Sequence, residues 1–168
     1  PIVAYNIPGA SGVDLGPTRL VDLATAVPAV KFVKDSSGSV SAVDELVQRH
    51  RDRITVLNGW DTATLFGFVA GTRASIWGAA NVVPDLCVRL WRDVVVARDL
   101  VAATETWSRL WPLLKFFEST TYASAIKEAC ALVGAPVGPT RRPFLPLPES
   151  ELEVLKTILT ESGVRRSV

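Results

Sequence analysis

Apolar and polar positions follow two alternating patterns along the first hundred residues. Short apolar runs of strand length occur at residues 2–6 (IVAYN), 29–34 (AVKFVK), 53–58 (RITVLN) and 73–77 (RASIW). Each run is followed by turn residues and then by a helical pattern. After the first run come Pro8, Gly9, Gly12 and Gly16, then Pro17-Thr18 opening a helix over Arg19–Ala26. Ser36-Ser37-Gly38 precede a helix over Ser41–His50, where Val43, Leu46 and Val47 recur at i, i+3 and i+4 and form one apolar face. Asn58-Gly59 precede a helix over Asp61–Ala70, with Gly71 as its C-terminal cap. Gly78 and Asn81 precede Pro84, a first-turn proline, and a helix over Asp85–Ala97.

Four strand–helix units with short connections predict an α/β fold with a parallel sheet and right-handed crossovers. A doubly wound sheet and part of a (β/α)₈ barrel both satisfy this order. The dinucleotide-binding pattern G-x-G-x-x-G is not met, since Gly9-x-x-Gly12 is too short. The chain contains no Met and opens on Pro1-Ile2-Val3-Ala4-Tyr5, inside a strand pattern with no turn or cap before it. Four units are half of an eight-stranded barrel, and the expectation is a second half barrel over residues 1–97. Such a half has two open sheet edges and an uncovered apolar face, so residues 1–168 alone are expected to aggregate or to self-associate into a closed barrel.

From Arg98 onward the pattern is helical, and residues 98–168 are expected to form a helical extension. Leu100, Ala103, Trp107, Leu110, Trp111 and Leu114 share one side of a helix over Val101–Leu114, and the stripe reads as core packing. Helices over Ala123–Val133 and Glu151–Ser162 follow. The link Gly134–Pro148 holds five of the 11 prolines and predicts a stiff, extended connector.

Composition narrows the function. Eighteen Lys and Arg against 17 Asp and Glu give a net charge of +1, without the basic excess of a nucleic-acid binder. Apolar runs are a few residues long, as in Val94–Ala97, too short to span a bilayer. Two cysteines (Cys87, Cys130) and one histidine fit neither a disulfide framework nor a protein-built metal site. The expectation is a cytoplasmic protein that uses no metal and no cofactor.

Strand ends are where barrels of this kind carry their chemistry. Lys34 closes the second run, and period 2 puts it on the face of Val30 and Phe32. An amine standing above an apolar layer is poorly solvated, which favours the neutral form that attacks carbonyls and forms a Schiff base. A lysine snorkelling at a strand end is the alternative, and it is the reading for Lys31 on the opposite parity. Tyr5 closes the neighbouring run, where its hydroxyl could relay a proton or simply sit half-buried. Asp61 also reads as a helix N-cap, and Ser36 and Ser37 also read as turn formers. His50, between Arg49 and Arg51 at a helix end, reads as solvent-facing.

The phrases Tyr5-Asn6-Ile7-Pro8 and Val33-Lys34-Asp35-Ser36-Ser37-Gly38 resemble the dihydrodipicolinate synthase / N-acetylneuraminate lyase superfamily. Asn58-Gly59-Trp60-Asp61 and Ser75-Ile76-Trp77-Gly78-Ala79-Ala80-Asn81 fall where that family has its next two strand ends. The resemblance implies a (β/α)₈ barrel with a C-terminal helical extension, usually assembled as a homo-oligomer, a tetramer or a dimer. It puts residue 1 in the fifth strand. The Gly-Thr-Thr-Gly-type loop that holds a keto-acid carboxylate, and a second tyrosine that crosses a dimer interface, then belong to the N-terminal half of the barrel, which this chain needs as a partner.

The same resemblance implies that Lys34 forms an imine with a 2-keto acid and that Tyr5 shuttles the proton at the aldehyde oxygen. It gives Ser36, Gly59, Asp61 and Ile76 substrate-binding places. Two departures bear on the substrate. Ala10 stands where biosynthetic dihydrodipicolinate synthases carry an arginine, which removes a bidentate carboxylate clamp. Thr62 stands where sialic-acid lyases are acidic, and Trp60 and Trp77 add bulk near the mouth. The expected activity is a class I pyruvate-type aldolase or lyase acting on a 2-keto-3-deoxy sugar acid. The alternatives are dihydrodipicolinate synthase itself and a non-catalytic half barrel.

Overall fold

The computed structural model describes residues 1–164. Four strands, β1 (Ile2–Asn6), β2 (Val30–Asp35), β3 (Thr55–Asn58) and β4 (Ala74–Ser75), form one sheet in the order β1-β2-β3-β4, each pair parallel. A single helical turn, α1 (Pro8–Ser11), and α2 (Gly16–Ala26) link β1 to β2. Helix α3 (Val40–His50) links β2 to β3; a short turn at Asp61–Ala63 and α4 (Thr64–Ala70) link β3 to β4. Then follow α5 (Pro84–Trp91), α6 (Leu100–Ser119), α7 (Tyr122–Leu132) and α8 (Glu149–Glu161).

The chain makes two compact units. Pro1–Trp77 and Val94–Arg98 form the first; Gly78–Asp93 and the chain from Asp99 form the second. Helix α5, expected with the strands of residues 1–97, therefore groups with the helices of the extension.

In the first unit one face of the sheet is covered by helices. Leu20, Val30, Val33, Val43, Leu46, Val47, Ile54 and Val56 are buried there as one cluster. Helix α3 supplies Val43, Leu46 and Val47, the i, i+3, i+4 face, and Ser39 caps it by accepting from the Ala42 amide at 3.2 Å. Burial of a side chain such as Leu46 contributes about 2 kcal/mol. The opposite face is open: Val3 and Tyr5 are about half exposed, and Phe32, Lys34, Thr55 and Leu57 are partly buried. Among the described residues β1 and β4 have one neighbouring strand each.

Three sequence expectations change here. Val30 does not share the face of Phe32 and Lys34. The ladder pairs Ile2 with Val30 and Val3 with Phe32, so Lys31 is an extra residue. This bulge interrupts the alternation and turns Val30 into the helix-covered core. The fourth strand is two residues long instead of five: the Ile76 amide still bonds the Asn58 carbonyl at 2.8 Å, but a tight turn begins at Gly78. The helix expected over Asp85–Ala97 ends at Trp91 and continues as a wider π turn over Arg92–Ala97, where three consecutive valines weaken regular helix.

In the second unit α6 packs against α5, α7 and α8. Ala103, Trp107, Leu110 and Leu114 are buried as the stripe predicts, while Leu100 and Trp111 stay half exposed. Cys87 and Cys130 are free and buried, and burial pushes the Cys130 thiol up from its ordinary range against the opposing effect of Lys127. Among the described residues no helix is long and apolar enough to cross a membrane, and no group of His, Cys, Asp or Glu is gathered as metal ligands.

Each strand ends on a polar residue that points into the helix-covered layer. The ladder aligns Asn6, Asp35, Asn58 and Ser75 in one row, and the first three are each 2% exposed. Burying such groups is tolerated only when they are bonded. Asn6 Nδ2 donates to Asp35 Oδ2 at 2.8 Å and to Asp14 Oδ1 at 3.0 Å. Asn58 Nδ2 lies 2.9 Å from the Trp60 carbonyl, 2.8 Å from Thr64 Oγ1 and 3.1 Å from Ser75 Oγ. Asn58→Ala removes this buried donor from all three groups, and urea unfolding should show a loss of about 1–3 kcal/mol. Unchanged stability would show that the row is not structural.

Candidate active site

Parallel pairing in register carries the site. Tyr5 of β1 pairs with Lys34 of β2, Lys34 with Leu57 of β3, and Leu57 with Ala74 of β4. In-register neighbours share a face. Tyr5 and Lys34 therefore stand side by side on the open face, and Lys34 Nζ lies 4.2 Å from the centroid of the Tyr5 ring. The negative face of the ring attracts the ammonium and holds the otherwise flexible side chain in one place.

The hydrogen-bond ladder continues one residue beyond the strands. The Ser36 amide donates to the Asn6 carbonyl at 2.8 Å, and the Gly59 amide to the Asp35 carbonyl at 2.7 Å. Ile76 is bonded to Asn58 in the same way. Ser36, Gly59 and Ile76 thus form a further row, two residues above Tyr5, Lys34, Leu57 and Ala74, on the same parity.

Gly59 lets the two rows meet. A Cβ there would lie 2.7 Å from Lys34 Cε and 2.8 Å from Cγ, and would collide with Ser36 Oγ. The lysine chain lies against the bare glycine backbone on its way to Tyr5. Ser36 Oγ is 2.7 Å from the Gly59 carbonyl and 3.5 Å from the Tyr5 hydroxyl. Asp35 anchors the β2 loop from the other face: its Oδ1 accepts from the Ser37 amide at 3.1 Å and from Ser37 Oγ at 2.6 Å.

Of the residues expected from sequence, the structure brings Tyr5, Lys34, Ser36 and Gly59 into contact and puts Ile76, 46% exposed, on their level. Asp61 is 2% exposed and opens the turn before α4, where the Thr64 amide bonds its carbonyl. Trp60 does not narrow the open face. Its ring lies against Gly38 and borders a cleft with Val40, Ala63 and Phe66 on the helical side; Trp77 is buried. Lys31 is exposed near the start of its strand. The buried row Asn6, Asp35, Asn58 and Ser75 is missed by sequence reasoning, although its signal is present: an Asn, Asp or Ser lies within each strand-like run or directly after it.

A family model described as the dihydrodipicolinate synthetase family matches residues 1–162. Among curated relatives, the 4-hydroxy-tetrahydrodipicolinate synthase of Methanoculleus marisnigri is 32% identical over 164 residues, covering 97% of this chain and 56% of that protein. That of Thermomicrobium roseum is 35% identical, covering 95% of this chain and 52% of its own length. Among solved structures, dihydrodipicolinate synthase from Thermotoga maritima superposes with a TM-score of 0.90 at 29% identity, over 98% of this chain and 56% of that one. YagE from E. coli K12, of the dihydrodipicolinic acid synthase family and in complex with pyruvate, gives 0.85 at 29% identity, over 98% and 57%. The chain thus spans about half the length of the relatives it matches.

Gly59→Ala forces Lys34 and Ser36 away from their present positions. Overpacking of this kind costs about 1–3 kcal/mol, to be read as a lower urea midpoint. Wild-type stability in the variant would mean that Lys34 does not depend on the bare backbone at residue 59.

Proposed function

The chain belongs to the dihydrodipicolinate synthetase family, and from that premise we propose that it is the second half of a (β/α)₈ barrel carrying the Schiff-base centre of a pyruvate-type aldolase or lyase. The observation that carries this reading is the Lys34 amine held 4.2 Å from the Tyr5 ring centre on the open face of the sheet. The coverage of about half of each relative supports the half-barrel assignment.

Lys34, once its ammonium has given up one proton to water, attacks C2 of a 2-keto acid. A C–N bond forms, and the carbonyl electron pair becomes a hydroxyl after proton transfer from nitrogen. Tyr5 donates its proton as this hydroxyl departs as water, which leaves an iminium on Lys34 and a phenolate on Tyr5. The phenolate then takes the proton of the C4 hydroxyl. The C3–C4 bond breaks, its electrons flow into the iminium to give an enamine, and the aldehyde leaves. Water protonates and hydrolyses the enamine, releasing pyruvate and free Lys34. Splitting the reaction in this way is the general advantage of covalent catalysis.

Gly59 and Ile76 line the substrate's path one level above Lys34, and Ser36 lies on that level. Asp61, being buried, is left out of the direct contacts. The substrate carboxylate is held by the N-terminal half of the barrel. A 2-keto-3-deoxy sugar acid suits the absence of a guanidinium at Ala10. A second reading, dihydrodipicolinate synthase condensing pyruvate with aspartate semialdehyde, is favoured by the names of the curated relatives. The reading includes a homo-oligomer and a cytoplasmic location, the latter supported by two free, buried cysteines.

Pyruvate with borohydride should add one reduced adduct to the complete protein, at Lys34. Lys34→Ala should abolish both adduct and turnover. An adduct on Lys31, or activity surviving in the variant, would overturn the assignment. Tyr5→Phe should keep imine trapping measurable while slowing pyruvate release about 10²-fold, the scale of a positioned proton-transfer group. Full turnover in that variant would make Tyr5 a packing residue.

A further inference from the structure

We propose that Ser36 is a positioning residue whose hydroxyl proton swings between the Gly59 carbonyl and the Tyr5 oxygen, stabilising the tyrosine while it is ionised. The inference rests on the reading of Tyr5 as the proton shuttle and gives that shuttle a partner.

Ser36 Oγ carries one proton and faces two acceptors, the Gly59 carbonyl at 2.7 Å and the Tyr5 oxygen at 3.5 Å. One hydroxyl cannot donate to both at once. With a neutral Tyr5 the shorter bond to Gly59 holds the proton. When Tyr5 gives up its own proton, its oxygen becomes a charged acceptor, and charge-assisted hydrogen bonds are the stronger ones. Rotation about the Ser36 Cβ–Oγ bond then delivers the hydroxyl hydrogen to the phenolate. When Tyr5 is reprotonated from the substrate hydroxyl, the hydrogen returns to Gly59. Ser36 neither gains nor loses a proton over the cycle. The 3.5 Å contact to Tyr5 is long for a hydrogen bond, and contacts of this kind tighten as charge develops in the reacting complex.

The surroundings fit a rotor rather than a substrate ligand. Ser36 is 5% exposed, so few waters compete for its hydrogen. Its amide is fixed to the Asn6 carbonyl, next to Tyr5, so the hydroxyl is referenced to the strand it serves. A side chain at position 59 would drive Ser36 Oγ from its place.

The test is a double-mutant cycle on the complete protein, with pyruvate release from a 2-keto-3-deoxy sugar acid as the assay and borohydride trapping beside it. Ser36→Ala should lower kcat roughly tenfold to a hundredfold. It should leave KM within about twofold and the Lys34 adduct intact. In a Tyr5→Phe background, adding Ser36→Ala should cost nothing more, because the hydroxyl has no phenolate to serve. A raised KM with kcat retained would make Ser36 a substrate contact and overturn the proposal. So would full kcat in Ser36→Ala, or an equal loss in both backgrounds, the mark of a merely structural role. If the unsubstituted protein gives no Lys34 adduct, the Schiff-base reading itself falls, which separates that failure from this one.

Discussion

The hydrogen bond of 2.8 Å between Asn6 and Asp35 is buried on the helical side of the sheet, yet it decides what happens on the other side. Strands have period 2, so a slip of one residue exchanges the faces. A slip at β2 would bring Lys34 into the layer occupied by Val33 and Val56 and expose Asp35 on the open face. A lysine brought there would be cut off from water, and Asn6 would lose its partner. With Asn6 bonded to Asp35, and Asn58 to Ser75, one register satisfies every member of the row. That register sets Tyr5 beside Lys34.

The distinction between local and long-range information explains what could be read from the chain. The α3 face of Val43, Leu46 and Val47 lies within about one helical turn, so spacing alone conveys it. The Lys31 bulge is different. It depends on how β2 meets β1, and no pattern within AVKFVK marks one residue as surplus. The shortening of β4 has a similar cause: Gly78 marks the turn locally, but how many of the residues before it pair with β3 depends on the partner strand. Trp111 has the same spacing as its buried neighbours, but the helices that meet α6 leave it half exposed.

The candidate site divides along the same line. Parity within β2 does not by itself separate Lys34 from Lys31, because the bulge at Lys31 interrupts the alternation; position at a strand end is what marks Lys34 and Tyr5 in the sequence. Their adjacency required the in-register pairing of two strands 29 residues apart. Gly59 was legible as a turn residue; that lysine and serine atoms occupy the space a Cβ would fill is a property of three strand ends together. Trp60 looked like a wall of the mouth because its neighbours in sequence are there, but its ring turns to Gly38 on the far side.

At the ends of β1 and β2, neighbouring residues have opposite places. Tyr5 and Lys34 stand on the open face, while Asn6 and Asp35, one peptide further on, face the helices. Variation on the open face therefore need not disturb the bonds that fix strand alignment, since substituents there project away from them. Under the proposed function, residues around the Lys34 amine can change, and with them the carbonyl compound accepted, while the bonds that align the strands are kept. Folding and specificity are written on alternate residues of the same strands, and selection can act on them almost separately.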